Sequence, residues 1–153
     1  KESRSLCYRL VAADFAAKVI CLLFFVLLPT HNVRPPLETG GFTGWAMRTI
    51  WLLDTPTNLF PSIHCFVSWL GTRYIYECRL SLRHRGLTCT LCTVGSVLVF
   101  LATMFTKQHV FYDVISGVAV AEIGWLVARY TGLPRLFERL NGRFLRTKLA
   151  QMI

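Results

Sequence analysis

Four long apolar stretches dominate the sequence and limit what the chain can fold into. Each approaches the roughly 20 residues that an α-helix needs to cross the hydrocarbon core of a bilayer. They are residues 10–29, 59–78, 87–105 and 109–131. Because a bilayer offers no water to backbone polar groups, such stretches must be helices rather than open strands. The chain is 54% hydrophobic, with a mean hydropathy of +0.47, and is too apolar for an ordinary soluble domain.

The basic residues between these stretches orient the helices. Three segments are rich in arginine and lysine, namely residues 1–9, the loop 79–86 and the tail after residue 133. The intervening loops, 31–58 and 106–108, carry few basic residues. Since basic loops stay on the cytoplasmic side, the sequence predicts four crossings in a plasma (inner) membrane, with both termini in the cytoplasm.

Two further helices complete the predicted all-α membrane bundle. "TGWAMRTIWLL" (43–53) is too short to span and carries two tryptophans, which suit an interfacial helix. In the tail, apolar residues recur at helical intervals with arginines between them, as in an amphipathic helix on an anionic inner leaflet. These apolar positions are Leu133, Leu136, Phe137, Leu140, Phe144 and Leu145. The tail explains much of the net charge of +9, so we predict a membrane partner and no nucleic-acid binding. Residues 1–153 are interpreted as one membrane-embedded domain.

The six cysteines indicate neither a disulfide framework nor a metal site. They fall mostly inside the apolar stretches, whereas disulfide scaffolds are small, loop-rich extracellular chains. Cys89 and Cys92 form a C-x-x-C motif, but no second pair of ligands accompanies it. We therefore expect free thiols that serve packing.

Three polar pieces reach the outer membrane face in this topology: "NVRP", "FPSIH" and "TKQHVFYD". In the last of them, His109 and Asp113 are spaced i and i+4 and lie on one face of a helix. A carboxylate that accepts a proton from one imidazole nitrogen leaves the other free as a nucleophile or base. A buried pair that only ties helices together is the alternative, but ionisable residues in a spanning segment favour function.

The remaining polar residues on this face are suited to holding a phosphate. Pro61 is tolerated in the first turn of a helix, and the free N–H groups after it form an anion site. Ser62 adds a hydroxyl donor, and His64 offers a proton to a leaving oxygen. Arg34 presents a planar fork and Lys107 a point charge, although each could instead contact lipid headgroups. Since both cations would repel a dication, we predict no metal and no cofactor.

These motifs resemble the type-2 phosphatidic acid phosphatase superfamily, which shares its site with vanadium haloperoxidases. "FPSIH" is similar to the P-S-x-H motif, "TKQHVFYDVISG" to the H-x-x-x-D motif, and "NVRP" to the Arg-Pro end of the first motif, in the family's order over roughly residues 30–117. The resemblance implies six crossings, two of them before Lys1.

The resemblance also implies metal-independent hydrolysis of a lipid phosphate or pyrophosphate at the outer leaflet, through a phosphohistidine on His109. Asp113 would orient that imidazole and His64 would protonate the leaving group. Arg34 and Ser62 would hold phosphate oxygens, so that fixed donors stabilise the transition state.

Two cations of the family pattern are absent. Leu27 stands where the first motif usually has lysine, and Ala102 and Thr103 stand where the third usually begins Ser-Arg. Lys107 is the nearest substitute. A sub-branch resembling inositol-phosphoryl (ceramide) transferases also lacks that arginine, so transfer to an alcohol stays open beside transfer to water. A third alternative is a non-catalytic membrane protein, such as a haem carrier, although haem ligands usually lie within a bundle. No particular lipid or oligomeric state is indicated.

Overall fold

The part of the chain described by the structure, a computed structural model, comprises residues 2–38, 40–78 and 84–151. In these ranges it forms six helices and no strand. The helices are α1 (Glu2–Leu27), α2 (Gly41–Leu53), α3 (Ile63–Glu77), α4 (Arg85–Phe105), α5 (Phe111–Tyr130) and α6 (Leu133–Gln151). The all-α prediction is confirmed, and so are the short helix near 43–53 and the helix that begins at residue 133.

Among the described residues, three helices, rather than the predicted four, are long and apolar enough to cross a membrane: α1 from Arg4, α4 and α5. The second predicted crossing, 59–78, is helical only from Ile63 to Glu77. At a rise of 1.5 Å per residue these 15 residues extend about 22 Å, short of a hydrocarbon core of about 30 Å. The helix starts late because Ser62 is its N-cap residue, so Pro61 precedes the helix instead of lying in its first turn.

The amphipathic tail helix packs partly against the protein. In α6, the ring of Phe137 contacts that of Phe15 on α1 at a centroid distance of 5.6 Å. The Asn141 side chain donates to the Tyr8 hydroxyl at 2.7 Å. Leu136 and Leu140 remain exposed, so only part of the apolar face is left for a leaflet. Residues 79–83 of the predicted basic loop lie outside the described residues.

Small residues bring α1, α3 and α5 close together. A Cβ atom on Gly117 of α5 would lie 2.6 Å from the Ser62 carbonyl oxygen, and one on Gly124 would lie 2.6 Å from that of Ala13. Such small residues let membrane helices approach at backbone distance. The buried core beside them contains Ala12, Ala13, Ala17, Cys21, Phe66, Leu70, Val120, Ala121, Trp125 and Ala128. All six cysteines are free thiols, as predicted.

Hydroxyl groups join α3 to α4. Thr72 and Ser96 share a hydrogen bond of 2.8 Å, and the Ser96 hydroxyl also donates to the Ser68 carbonyl at 3.0 Å. Nearer the end of α3, Tyr76 and Thr93 are paired at 3.0 Å. These bonds hold the short α3 against α4, which is long enough to span.

An ionic cluster ties α1, α3 and α5 together near the last turn of α3. Glu77 accepts hydrogen bonds from Arg9 at 2.9 Å and from the Trp125 indole at 2.8 Å. Arg73 donates to Glu122 of α5 at 3.1 Å. The Arg9 contact gives a charged side chain just before the apolar stretch of α1 a partner in the bundle.

Candidate active site

The three predicted polar pieces meet at one end of the bundle. The Asn32 side chain, just after α1, donates to the Lys107 carbonyl at 2.7 Å. The Ser62 N–H, just before α3, donates to the Asp113 carbonyl in the first turn of α5 at 3.2 Å. The ends of α1 and α4 and the starts of α3 and α5 therefore share this end, opposite the ionic cluster.

Asp113 holds both the imidazole of His109 and the start of α5. Its Oδ2 atom lies 3.3 Å from His109 Nδ1, and both side chains are buried, with 6% and 9% of their surface exposed for His109 and Asp113. The same oxygen accepts the Val110 N–H at 3.0 Å. Because a carboxylate can only accept, Nδ1 carries the proton of a neutral His109 and Nε2 is left with its lone pair.

The burial of His109, which lies just before α5, also affects its charge. Desolvation lowers the pKa of His109 and outweighs the neighbouring Asp113, which raises it. The imidazole is therefore neutral at neutral pH, the state in which a ring nitrogen acts as a nucleophile. The backbone position is fixed as well, because the His109 N–H donates to the Thr103 carbonyl at 3.1 Å.

His64 is the neighbour of His109. The two ring centroids are 5.7 Å apart with an interplanar angle of 66°. The His64 side chain is 47% exposed, so it is open to an incoming ligand. It occupies this place because Gly117, two turns into α5, lets the first turn of α3 approach closely.

Ser62 has a different position from the one expected. Its side chain is fully buried, and its hydroxyl accepts the Cys65 N–H at 3.3 Å, which caps α3. Its own N–H is bonded to Asp113, so the expectation that this N–H is free for an anion is wrong. Contact between the Ser62 hydroxyl and a phosphate remains a prediction.

Arg34 is largely, though not fully, buried and is bonded to the end of α2. Its Nη1 donates to the Trp51 carbonyl at 2.9 Å and its Nη2 to the Asp54 carbonyl at 2.7 Å, and its guanidinium lies over the Trp51 ring. Arg34 Nε is buried without a hydrogen-bond partner in the described part of the chain. Lys107 is exposed, and its ammonium group forms no hydrogen bond or ion pair there.

Sequence reasoning missed two residues of this site, Asp54 and Gln108. The Gln108 amide donates to Asp54 Oδ2 at 2.9 Å, and the same oxygen lies 3.5 Å from Arg34 Nη2. Asp54 Oδ1 lies 3.8 Å from His64 Nε2. A signal was available: Asp54 follows a helix at its C-terminal end, where the helix dipole disfavours a negative charge unless it has a partner.

The described residues include no group of three or more His, Cys, Asp or Glu side chains placed to hold a metal ion. The site instead combines a neutral imidazole, a second histidine and a largely buried guanidinium. Such groups can supply a nucleophile, a proton and charge stabilisation.

Comparisons of the chain with protein-family models, with curated proteins and with solved structures give no match. The resemblance to the phosphatase superfamily thus rests on the motif residues of the sequence alone. The sequence motifs place them in a matching order, and the structure places His64, His109 and Asp113 side by side.

Proposed function

We propose that the chain is a membrane enzyme of the type-2 phosphatidic acid phosphatase superfamily that hydrolyses lipid phosphates or pyrophosphates through a phosphohistidine on His109. The observation that carries the proposal is the buried His109–Asp113 pair, with His64 as the next ring. A pair that only tied helices together would not need a half-exposed histidine beside it.

The groups account for both halves of the reaction. In the first, His109 Nε2 attacks phosphorus, the bond from phosphorus to the leaving oxygen breaks, and His64 gives that oxygen a proton. In the second, His64 takes a proton from water, the water oxygen attacks phosphorus, and the N–P bond breaks to restore neutral His109. Asp113 stabilises the charge on the phosphorylated ring, and Arg34 Nε and Lys107 stabilise charge on the phosphate oxygens.

In the proposed arrangement α1, α4 and α5 cross the membrane fully, and α3 is a shorter fourth crossing. The site faces the outer leaflet of the plasma (inner) membrane, α2 lies in the interface, and both termini are cytoplasmic. Support comes from the position of the site at the end of the bundle where α1 finishes, away from the basic residues of the N-terminal segment.

The test is phosphate release from a panel of lipid phosphates and diphosphates in detergent, with a chelator present. We expect turnover that persists with chelator and falls on the order of 10³-fold in His109→Ala. His84→Ala, which replaces the histidine that precedes α4, is the matched control and should keep full activity. The wild type should accumulate an acid-labile phosphoprotein that His109→Ala lacks. Turnover that needs a metal, or that survives in His109→Ala, contradicts the proposal.

A second candidate, transfer of an inositol-phosphoryl or similar phosphoryl headgroup to an alcohol, is favoured by one observation. Thr103 stands where the phosphatases usually have arginine, and its hydroxyl is bonded to the Phe100 carbonyl at 2.9 Å. It therefore offers nothing to a phosphate, as in the resembling transferase sub-branch. With an alcohol acceptor in the assay, this candidate predicts a new phospholipid and little free phosphate.

A further inference from the structure

One carboxylate joins the segments that build the site. Asp54, at the end of α2, contacts Gln108 at 2.9 Å, Arg34 at 3.5 Å and His64 at 3.8 Å. Its backbone carbonyl accepts a second bond from Arg34 at 2.7 Å. The three partners come from the segment after α1, from α3 and from the turn before α5.

This cluster is not an ordinary surface ion pair. The Arg34 side chain is only 10% exposed, and Gln108 is 8% exposed. Gln108 is held in turn by the Thr106 hydroxyl, which donates to its side-chain oxygen at 3.0 Å. Exposed pairs contribute little because water screens them and their side chains stay mobile, whereas Arg34 and Gln108 are fixed by burial and by further hydrogen bonds.

A carboxylate in this position is electrostatically unfavourable for phosphate binding. It lies within 4 Å of Arg34 and His64, the groups that the proposed reaction brings to a phosphate, and like charges repel in a partly buried site. It also lies at the negative end of the α2 dipole. The carboxylate would therefore repel a bound phosphate, and its contacts with Gln108, Arg34 and His64 indicate what offsets that cost.

We propose that Asp54 is a positioning residue, which fixes Arg34 and His64 in the geometry needed for phosphoryl transfer before the phosphate arrives. This inference rests on the proposed function. Through Gln108, Asp54 also fixes the residue next to His109. Its carboxylate is the partner of the guanidinium and the imidazole until the phosphate oxygens take that place.

A positioning carboxylate has a signature that a merely structural residue lacks. Asp54→Asn keeps the size of the side chain and an oxygen for Gln108, but it removes the charge. Inorganic phosphate should then bind more tightly, on the order of tenfold, because the repulsion is gone. The value of kcat should fall about 10- to 100-fold, because Arg34 and His64 lose their alignment. Asp54→Glu restores the charge, so its phosphate affinity should return to the wild-type value.

The experiment uses the full chain in detergent. Phosphate affinity is measured from the rise in Tm with phosphate concentration, and kcat is measured on the most active lipid of the panel. Asp14→Asn is the matched control, since Asp14 pairs with Lys18 on α1, and it should change neither quantity. Tighter phosphate binding with slower turnover in Asp54→Asn supports the inference.

Weaker phosphate binding, or unchanged kcat, in Asp54→Asn overturns the positioning role. A wild-type chain that neither turns over any lipid nor responds to phosphate defeats the proposed function instead. The two failures are therefore distinguishable.

Discussion

Replacement of Gly117 by alanine tests how the fold sets the distance between the two histidines. Gly117 of α5 faces the first turn of α3, where an added Cβ would lie 2.6 Å from the Ser62 carbonyl oxygen and 2.9 Å from the Cys65 Cβ. The carbonyl belongs to the turn that carries His64 and accepts the Phe66 N–H. The obstacle is backbone, so no flexible side chain can simply rotate away.

The size of the effect follows from these distances. Ordinary van der Waals contact begins at 3.4 Å, so the carbonyl oxygen would have to retreat by about 0.8 Å. Overpacking of this kind costs typically 1–3 kcal/mol of stability. A displacement near 1 Å at a reacting group costs about 10²-fold in rate, so we expect kcat of Gly117→Ala to fall by roughly 10- to 100-fold.

Two further glycines supply matched controls. Gly124→Ala meets the Ala13 carbonyl at the same 2.6 Å, but between α1 and α5 and away from the histidines. It should lose similar stability and keep most of its activity per folded molecule. Gly95→Ala meets nothing within 4 Å on α4 and should be as active and at least as stable as the wild type.

The assay compares Tm in detergent with kcat at a temperature where all variants are folded. Gly117→Ala with full activity would refute the claim that this contact sets the histidine geometry. Equal losses of kcat in Gly117→Ala and Gly124→Ala would refute it as well, since both would then reflect general instability.

Three more predictions concern charge and packing. Burial lowers the pKa of His109 from its ordinary 6.5. In a pH–rate profile, kcat/KM should therefore rise with pH as His109 loses its proton, with a midpoint below 6.5. A midpoint above 7 would contradict this prediction. Glu77→Gln removes the charged partner of Arg9 and should cost about 1.5–3 kcal/mol, seen as a lower Tm with unchanged kcat; an unchanged Tm would count against the ionic cluster. Thr72→Val removes the bond to Ser96 and should cost roughly 0.6–1.7 kcal/mol, so a Tm loss exceeding that of Glu77→Gln would be inconsistent.

The sequence predicted the positions of the helices better than it predicted their ends. The second apolar stretch continues through Leu59 and Phe60 by hydropathy alone, yet the helix begins only at Ile63, because Ser62 is extended and caps it. Hydropathy depends on side chains and not on backbone conformation, so it does not predict this change of backbone at Ser62. At the other end of the fold, α1 begins at Glu2, before its apolar stretch, and Arg9 in this extension contacts Glu77, a residue far away in sequence.

The same distinction applies to the candidate site: contacts between residues close in sequence could be predicted, and contacts between distant residues could not. The His109–Asp113 contact is predicted from a spacing of four residues, which is a local property, and the structure shows the two side chains in contact. The expectation that both residues lie on a helix is wrong, because α5 begins at Phe111 and His109 precedes it. The position of Asp54 depends on contacts with residues 34, 64 and 108. No local pattern encodes such distant contacts. The inward orientation of the Ser62 hydroxyl likewise depends on the packing of α3 against α5.

The attachment of α2 has a consequence for ligand affinity. Arg34 holds the C-terminal carbonyls of α2 with two hydrogen bonds, each contributing about 1.5–3 kcal/mol because the donor is charged. A ligand that draws the guanidinium away from α2 breaks these two hydrogen bonds. Its measured binding free energy is therefore the gain from its own contacts minus the cost of loosening the helix. The coupling between ligand binding and the position of α2 is reciprocal. Lipids that stabilise a displaced α2 will favour binding of a ligand to Arg34, and lipids that hold α2 in place will oppose that binding.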